Sequence, residues 1–362
     1  MKWNWQLSDW TQFTYDAHKL NALEAEFVFK SGVLLGSLKH INEDDNNQLI
    51  VDLICNEALT TSEIEGEFLN RDSLQSSIRR NFNLSTDNRK IPPAEQGIAE
   101  MLVDLYRNYA QPLTHEILFK WHAMVTKGRQ DLNDVGRYRT HDEPMQVVSG
   151  YIHAPKIHFE APPSNRIPDE MDKFITWYNS SIALPPLTRA GIAHLYFESI
   201  HPFEDGNGRV GRAISEKVLS QGLGQATLIA LSSAIMHNKK SYYDMLEKSN
   251  KTNAITEWLI YFGQTILAAQ DHTQATIEFL ITKTKMYDKV RGKLNSRQEK
   301  VIERMFRAGY EGFKGGLSAD NYISITGTSR ATATRDLNEL VEMGVLTRQG
   351  ELKGTRYFMD LK

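Results

Sequence analysis

The chain has 362 residues, which predicts two or three domains, and its 42 Lys and Arg nearly balance 45 Asp and Glu, leaving a net charge of −3. That balance excludes a basic footprint for nucleic acid over the whole chain. The single cysteine, Cys55, excludes an internal disulfide framework and four-cysteine zinc sites, and is typical of the reducing cytosol. The longest apolar stretch, near residues 258–269, is too short to span a bilayer, and the N-terminus lacks the apolar stretch of a signal peptide. We therefore expect a cytoplasmic protein with no membrane partner.

Residues 1–50 are predicted to form a Trp-rich segment followed by helices. Trp3 and Trp5 alternate with polar residues, which indicates a short strand with one aromatic face. We expect this strand to act as a strap packed on the rest of the protein.

Helical periodicity recurs along the first 200 residues. The predicted helices begin at Asn21 and cover residues 45–59, 94–109, 114–125, 169–179 and 187–200. Thr60–Glu63 is expected to cap the start of a further helix, and 85–93 reads as a loop. The helix over 187–200 is apolar on two faces, which predicts a central, buried position.

A segment rich in Pro and Gly, over residues 130–163, interrupts the helices. Its β-favouring runs at 145–148 and 157–159 predict a hairpin with a turn between the strands. A long, partly β insertion in a helical domain is more often functional than filler.

Residues 295–362 are predicted to form a separate module. Helical patterns at 297–307 and 318–325 precede a third helix capped by Ser329, and two strands follow around two glycines. This order predicts a winged helix-turn-helix. The module holds 11 Lys and Arg against 9 Asp and Glu, which is a weak charge signal for a DNA-binding domain.

The most informative run is HPFEDGNGRVGR, residues 201–212. Pro202 disfavours the α region for His201, so a buried helix should end there and leave an imidazole at the lip of a cleft. The glycines let backbone N–H groups approach a ligand. A new helix is expected to begin near Gly208, and a helix N-terminus is an anion site by geometry and dipole.

The charged residues of this run indicate phosphate chemistry. Arg209 and Arg212 lie three positions apart on the new helix, which indicates a ligand with several negative charges, such as a polyphosphate. Asp205 would repel that ligand unless a cation such as Mg²⁺ bridged them. His201 suits a general base, and the whole set is typical of phosphoryl or nucleotidyl transfer. No GxxxxGK[ST] sequence is present, which excludes a Walker A loop.

Residues 201–212 resemble the Fic motif, HxFx[DE]GNGRxxR, with every fixed position filled. The resemblance extends over about residues 57–250, and we assign the Fic domain to 51–290. It implies a mainly α fold, in which a helical Fic core carries a small β-hairpin flap and precedes the winged helix. Most Fic proteins transfer AMP from ATP to a Ser, Thr or Tyr hydroxyl of a target protein and release pyrophosphate.

The resemblance also implies roles for individual residues. His201 would deprotonate the target hydroxyl, and Asp205 would hold Mg²⁺. ATP would contact Gly206, Asn207, Gly208, Arg209, Gly211 and Arg212. Tyr242, Tyr243 and Asn250 match positions of the adenosine pocket more loosely, with ordinary packing as the alternative for the two tyrosines. Val147, Val148, Ser149 and Gly150 of the flap would bind the target chain by strand-like pairing.

The sequence TSEIEG, residues 61–66, resembles the inhibitory motif [ST]xxxE[GN] of the same family. Glu65, in an inhibitory helix near residues 57–70, would pair with Arg212 and occupy the arginine needed for the γ-phosphate. Thr61 would be a cap or a positioning residue, and Gly66 completes the motif. The Trp-rich start resembles a domain of unknown function that accompanies some bacterial Fic proteins.

Other functions stay open at this point. A DNA-binding regulator would use the winged helix, with Ser329, Arg330, Thr332, Thr334 and Arg335 facing the DNA. The winged helix could instead dock a protein. A Fic variant could transfer another nucleotide or remove AMP, and the chain could form a homodimer.

Overall fold

The computed structural model describes residues 2–38, 43–151, 154–227, 229–306, 313 and 315–360. The prediction of a mainly helical protein is confirmed, since helices account for 64% of the chain. The chain divides into two compact units, of which the first extends to Thr273 and the second takes in Gln274 onwards. Within the described ranges, no helix is both long and apolar enough to cross a membrane.

The first unit consists mainly of α-helices, and a β-hairpin is inserted between the fifth and the sixth of them. The helices are α1 (Asn21–Leu38), α2 (Glu43–Ile64), α3 (Arg71–Asn81), α4 (Pro93–Asn108), α5 (His115–Val125), α6 (Ile167–Ser180), α7 (Pro186–Ile200), α8 (Asn207–Leu223), α9 (Leu231–His237), α10 (Lys239–Ser249) and α11 (Thr256–Val290), the last of which continues into the second unit.

The core of the first unit is centred on α7 and α8, which pack against each other. Nearly every residue of α7 is buried, as predicted from its two apolar faces. Gly191 allows α11 to approach closely: a Cβ there would lie 2.7 Å from Leu259 Cδ2, and Trp258 Nε1 donates to Gly191 O at 2.8 Å. In α8, Val210, Ala213, Ile214 and Val218 form the buried face, each side chain contributing on the order of 1–3 kcal/mol by burial.

The end of α2 differs from expectation. The helix continues without interruption through Thr60–Glu63, so the predicted cap at this place is wrong. Thr60 Oγ1 donates to Asn56 O at 2.9 Å, one turn earlier in the same helix. The hydroxyl is therefore bonded within α2 and does not cap the start of a new helix. Glu65 therefore lies just beyond the helix C-terminus, in a turn that Gly66 completes with a φ of +84°.

The predicted hairpin is confirmed. Strands β1 (Gln146–Tyr151) and β2 (Ala154–Glu160) pair antiparallel, with Val147 opposite Phe159 and a register shift after Val147. Val147 and Val148 are exposed on β1.

The predicted N-terminal strand is wrong, because Asn4–Gln6 forms a single 3₁₀ turn. Trp3 N donates to Gln6 Oε1 at 3.0 Å and closes this turn, a local bond that a pattern of alternating aromatics does not reveal. The strap itself is present. Trp5 Nε1 donates to Glu160 O at 2.7 Å, and the Trp3 ring meets Phe159 edge-on at 5.5 Å, so both tryptophans pack on the hairpin.

The second unit has the predicted element order. Helices α12 (Ser296–Phe306), α13 (Ala319–Thr326) and α14 (Arg330–Glu342) precede the antiparallel pair β3 (Leu346–Gln349) and β4 (Arg356–Met359). Ser318 and Ser329 cap α13 and α14, and buried Asp336 accepts hydrogen bonds from Arg297 and Tyr322 in the core of this unit. Its assignment as a winged helix stays a prediction.

Candidate active site

The site begins where α7 ends. His201 caps the helix, and its N–H donates to Phe197 O at 2.9 Å. Its backbone adopts the left-handed region, with φ +50°, rather than an extended conformation. A non-glycine residue in this region costs on the order of 1–3 kcal/mol, and it persists only where its surroundings hold it. The ring is largely buried, with 14% of the side chain exposed.

The loop after His201 is closed by one side chain. Asn207 Oδ1 accepts from Phe203 N at 2.9 Å, and Asn207 Nδ2 donates to Phe203 O at 2.8 Å. The Phe203 ring is buried and stacks on His122, with the centroids 4.1 Å apart. Gly206, at φ +80°, precedes the first turn of α8. Asn207 thus shapes the turn that presents the helix N-terminus.

The two arginines of α8 are buried and already paired. Arg209 Nη1 donates to Glu67 Oε2 at 2.6 Å and to Val125 O at 3.1 Å. Arg212 Nη2 donates to Glu65 Oε1 at 2.7 Å.

Thr61 holds the same guanidinium from a second side. Arg212 Nε donates to Thr61 Oγ1 at 2.7 Å, and Arg212 Nη2 donates to Thr61 O at 2.9 Å. Glu65 helps to hold the pKa of Arg212 above its usual value, against the opposing effect of burial. Thr61 is therefore a direct partner of the arginine in this structure.

One cavity of about 520 Å³ gathers most of the predicted site. The predicted site residues that line it are Glu65, Val147, Val148, Ser149, His201, Gly208, Arg212, Tyr242, Tyr243 and Asn250. The other predicted site residues lie outside its lining, and these are Thr61, Gly66, Gly150, Asp205, Gly206, Asn207, Arg209 and Gly211. Tyr242 also packs in the core, since its hydroxyl bonds His194 Nε2 at 2.6 Å.

Two of the residues outside the lining have clear local contacts. Asp205 Oδ2 accepts from Arg129 Nη1 at 2.5 Å, and Asp205 Oδ1 accepts from Gly206 N at 2.6 Å. Gly211 leaves room for a neighbouring carboxyl, because a Cβ there would lie 2.4 Å from Glu198 Oε1.

The electrostatics favour His201 as a proton acceptor. Burial, assisted by the positive charge of Arg139, lowers the pKa of His201 to about 4, so the ring is neutral at pH 7. The ring also hydrogen-bonds to the backbone of Glu198, one turn earlier in α7. A neutral, oriented imidazole can take a proton from a hydroxyl.

Glu198 is a site residue that sequence reasoning missed. It lines the cavity, its Oε2 lies 3.8 Å from His201 Nδ1, and its buried Oε1 has no hydrogen-bond partner within the described ranges. Burial, and then the charge of Glu65, raises the pKa of Glu198 to about 8. Its position three residues before His201, on the same helix face, was the available signal.

A second missed feature ties the hairpin to α10. His158 Nδ1 bonds Glu247 Oε2 at 2.5 Å, and Ser149 Oγ bonds His158 Nε2 at 2.6 Å. All three side chains line the cavity. The hydrogen bond from His158 is the main cause that lowers the pKa of Glu247 to about 2, so this carboxylate stays ionised. The chain of bonds holds the hairpin over the cavity.

Comparison with known proteins shows which domains this chain resembles. The Fic/DOC family matches residues 112–219, and a domain of unknown function, DUF4172, matches residues 3–84. A probable protein adenylyltransferase of Aquifex aeolicus is 28% identical over 111 residues, which are 30% of this chain and 32% of that relative. A protein adenylyltransferase of Caenorhabditis briggsae is 24% identical over 202 residues, 53% of this chain and 35% of the relative. The matches thus span about a third of these relatives.

Solved structures agree on the fold. A Fic family protein from Desulfovibrio desulfuricans has a TM-score of 0.54 at 19% identity, covering 93% of this chain and 95% of its own. A Fic domain containing signaling protein from Bacteroides thetaiotaomicron has a TM-score of 0.52 at 17% identity, covering 72% and 97%. The chain carries a Fic/DOC domain, and its homologues include protein adenylyltransferases.

Proposed function

We propose that the protein is a nucleotidyltransferase that moves AMP from ATP to a Ser, Thr or Tyr hydroxyl of a target protein. The observation that carries this proposal is that His201 and Arg212, the first and last residues of the Fic motif, line the same cavity. A base and an anion-binding group that open onto one cavity are the parts needed for transfer to a hydroxyl.

In the proposed reaction, the neutral ring of His201 accepts the proton of the target hydroxyl. The hydroxyl oxygen then forms a bond to the α-phosphorus of ATP, and the bond from that phosphorus to the β-phosphate oxygen breaks. Backbone N–H groups at the start of α8 stabilise the charge that develops on the α-phosphate. Pyrophosphate leaves, and Arg209 and Arg212 bind its charge.

We further propose that the resting protein is autoinhibited. Glu65 pairs with Arg212, and Glu67 pairs with Arg209, so both arginines are occupied by carboxylates in this structure. A γ-phosphate would have to displace Glu65 before Arg212 could bind it. The nucleotide would otherwise be held in an unproductive position.

Asp205 would hold a Mg²⁺ ion. Its side chain is 36% exposed at the start of α8, which leaves the carboxylate open to an ion once Arg129 releases it. No group of three or more His, Cys, Asp or Glu able to hold a metal occurs in the part of the chain that the structure describes. Mg²⁺ commonly binds through one or two carboxylates together with substrate phosphates, and the single carboxylate fits that mode. The ion would neutralise phosphate charge.

The hairpin is proposed as the flap that receives the target. Val147 and Val148 are exposed on β1 and line the cavity, so a target segment could pair beside them as a further strand.

The test is to incubate the Glu65→Gly variant with ATP labelled at the α-phosphate and Mg²⁺, and to locate AMP by mass spectrometry. We expect AMP on hydroxyl side chains. The absence of any label would overturn the proposal. Label from UTP and none from ATP would redirect it to another nucleotide, and loss of AMP from a modified protein would indicate the reverse reaction.

For the second unit we propose docking to DNA or to a protein. Ser329, Arg330, Thr334 and Arg335 are exposed at α14, which supports a docking face, but both arginines pair with acidic neighbours. Docking to DNA would be supported if the protein is retained on DNA, if this retention falls steeply with salt, and if Arg330→Ala weakens it. Salt-insensitive docking would favour a protein, and light scattering would decide whether the chain forms a homodimer.

A further inference from the structure

A buried arginine outside the Fic motif donates a hydrogen bond to the backbone of the proposed base. Arg139 is 2% exposed, and its Nε donates to His201 O at 2.9 Å. Its other guanidinium nitrogens donate to Ser164 Oγ at 2.8 Å and to Pro162 O at 2.5 Å. All three acceptors are neutral oxygens, namely two main-chain carbonyls and one hydroxyl. The guanidinium therefore has no acidic partner among these bonds.

The main chain of the same residue holds the next carbonyl. Arg139 N donates to Pro202 O at 3.0 Å, so one residue binds the carbonyls of both His201 and Pro202. His201 has the left-handed conformation described above, with φ +50°. A strained backbone of this kind persists where surrounding contacts over-determine it, and two of those contacts come from Arg139.

Arg139 also joins the base to both ends of the hairpin. It lies in the connection between α5 and β1, whereas its acceptors Pro162 and Ser164 follow β2. The two chain segments that flank the flap therefore meet at one guanidinium, and that guanidinium contacts His201.

The charge of Arg139 acts on the same ring. Burial lowers the pKa of Arg139 to about 10, so the group stays positive at neutral pH. The other charged side chains that act on the His201 ring are Glu65 and Asp205, both negative, and the backbone of Glu198 hydrogen-bonds to it. The carboxyl of Glu198 also faces the ring, at 3.8 Å. Among these groups, Arg139 carries the positive charge and lowers the pKa of His201, whereas Glu65 and Asp205 raise it.

We propose that Arg139 is the positioning residue of the base: it fixes the backbone conformation that directs the His201 imidazole into the cavity, and it links that conformation to the two ends of the flap. The proposal rests on the AMP transfer proposed above. It assigns to Arg139 a role in the rate of transfer and not in the binding of ATP.

Arg189 provides a matched control. It is also 2% exposed, and its guanidinium donates to Tyr178 O at 2.8 Å and to Ser181 Oγ at 3.1 Å. These neutral acceptors lie outside residues 201–212. A loss that follows only from removing a buried guanidinium should therefore be shared by Arg139 and Arg189 variants.

The experiment compares Arg139→Lys, Arg139→Met, Arg189→Lys and Arg189→Met in the Glu65→Gly background. Arg139→Lys keeps the charge but loses the planar fork of donors. We expect it to lower kcat roughly ten- to hundredfold, since a small misplacement of a reacting group has effects of this size, while KM for ATP stays unchanged. Arg189→Lys should have the same kcat as the parent when both are assayed below the melting temperature of the Arg189→Lys variant.

The second readout is the pKa of His201, measured by NMR on protein with labelled histidine and assigned with His201→Ala. Arg139→Met removes a positive charge and should raise this pKa, whereas Arg189→Met should not. Equal losses of kcat in the two lysine variants, or equal His201 pKa values in the two methionine variants, would overturn the positioning role.

If the Arg139 variants do not fold, Ser164→Ala decides. It removes one of the three acceptors, and we expect a smaller fall in kcat with KM unchanged, while an unchanged kcat would overturn the proposal. An inactive Glu65→Gly parent would instead count against AMP transfer. The NMR comparison needs no turnover and would still decide whether Arg139 controls the His201 ring.

Discussion

Glu65 Oε1 lies 2.7 Å from Arg212 Nη2, although the two residues are 147 positions apart in the chain. The contact joins the turn after α2 to the second turn of α8, and 2% of the arginine side chain is exposed. A carboxylate thus occupies the guanidinium that the Fic motif supplies to the cavity.

The first prediction concerns this ion pair. Glu65→Gly frees Arg212 for phosphate, and a charged hydrogen bond contributes on the order of 1.5–3 kcal/mol, so AMP transfer should rise roughly ten- to hundredfold. The measurement is the rate of label incorporation from ATP labelled at the α-phosphate. Glu63→Gly is the control, because Glu63 is an exposed glutamate in the last turn of α2, two residues before Glu65. Equal rates in both variants would show that the ion pair does not restrain transfer.

The second prediction concerns the base. In the Glu65→Gly background, His201→Ala should lower transfer by about 10²–10⁴-fold, the usual contribution of general base catalysis. His237→Ala is the control, since His237 is exposed at the end of α9. Near-parent activity of His201→Ala would rule out His201 as the base.

The same ring predicts the pH dependence of transfer. Because the pKa of His201 is lowered to about 4, the neutral form that accepts a proton is present from pH 8 down to about 5 and is lost as the pH falls through about 4. Removing the negative charge of Glu65 should lower this pKa further. The measurement is kcat in the Glu65→Gly variant across this range, and a fall centred near pH 6.5 would contradict the buried, neutral ring.

A fourth prediction tests the packing of α4 on α5. A Cβ at Gly97 would lie 1.9 Å from Met124 O, so Gly97→Ala must push the helices apart and should destabilise the fold by about 1–3 kcal/mol. Gly36→Ala in α1 is the opposite case, since the added carbon would have no atom within 4 Å apart from its chain neighbours and the local backbone of its own helix. It should stabilise by about 0.5–1 kcal/mol by favouring helix. Urea denaturation of both variants would show whether the signs differ as expected.

A fifth prediction concerns a buried carboxyl outside the active-site cavity. Burial raises the pKa of Glu216 to about 8, while Thr227 Oγ1 donates to Glu216 Oε1 at 2.6 Å. The folded state keeps a proton that the unfolded state releases near pH 4.3. This contribution to stability is therefore complete below about pH 4.3 and declines by up to about 1.4 kcal/mol per pH unit until about pH 8.

Glu216→Gln removes that proton equilibrium, so its free energy of unfolding should depend less on pH between 5 and 8 than that of the parent. Glu278→Gln, on an exposed face of α11, is the control and should follow the parent curve. Parallel curves for the parent and Glu216→Gln, measured by urea denaturation at several pH values, would contradict a protonated Glu216.

The two wrong local predictions have one cause. Alternation at Trp3 and Trp5 and the polar run at Thr60–Glu63 are short patterns, and each fits more than one backbone conformation. At the N-terminus, the hydrogen bond from Trp3 N to Gln6 favours a 3₁₀ turn over a strand. At Thr60–Glu63, the continuation of α2 favours helix over a cap. Long periodic segments such as α7 were predicted with the right type and nearly the right bounds, because many residues there favour one conformation.

The sequence by itself determined the helical class, the hairpin and the loop that ends α7 and begins α8, since these depend on neighbours along the chain. Pro202 and Gly206 act on their own backbone and on adjacent residues. The pairing of Glu65 with Arg212 was expected only from the resemblance of residues 61–66 to the inhibitory motif, and the tertiary structure has the two side chains in contact. Only the tertiary structure decided that Arg139 meets His201, and that Glu198 lies beside the same ring. The two long-range pairs depend on how segments distant in sequence pack together, and residue type and local spacing do not contain that information.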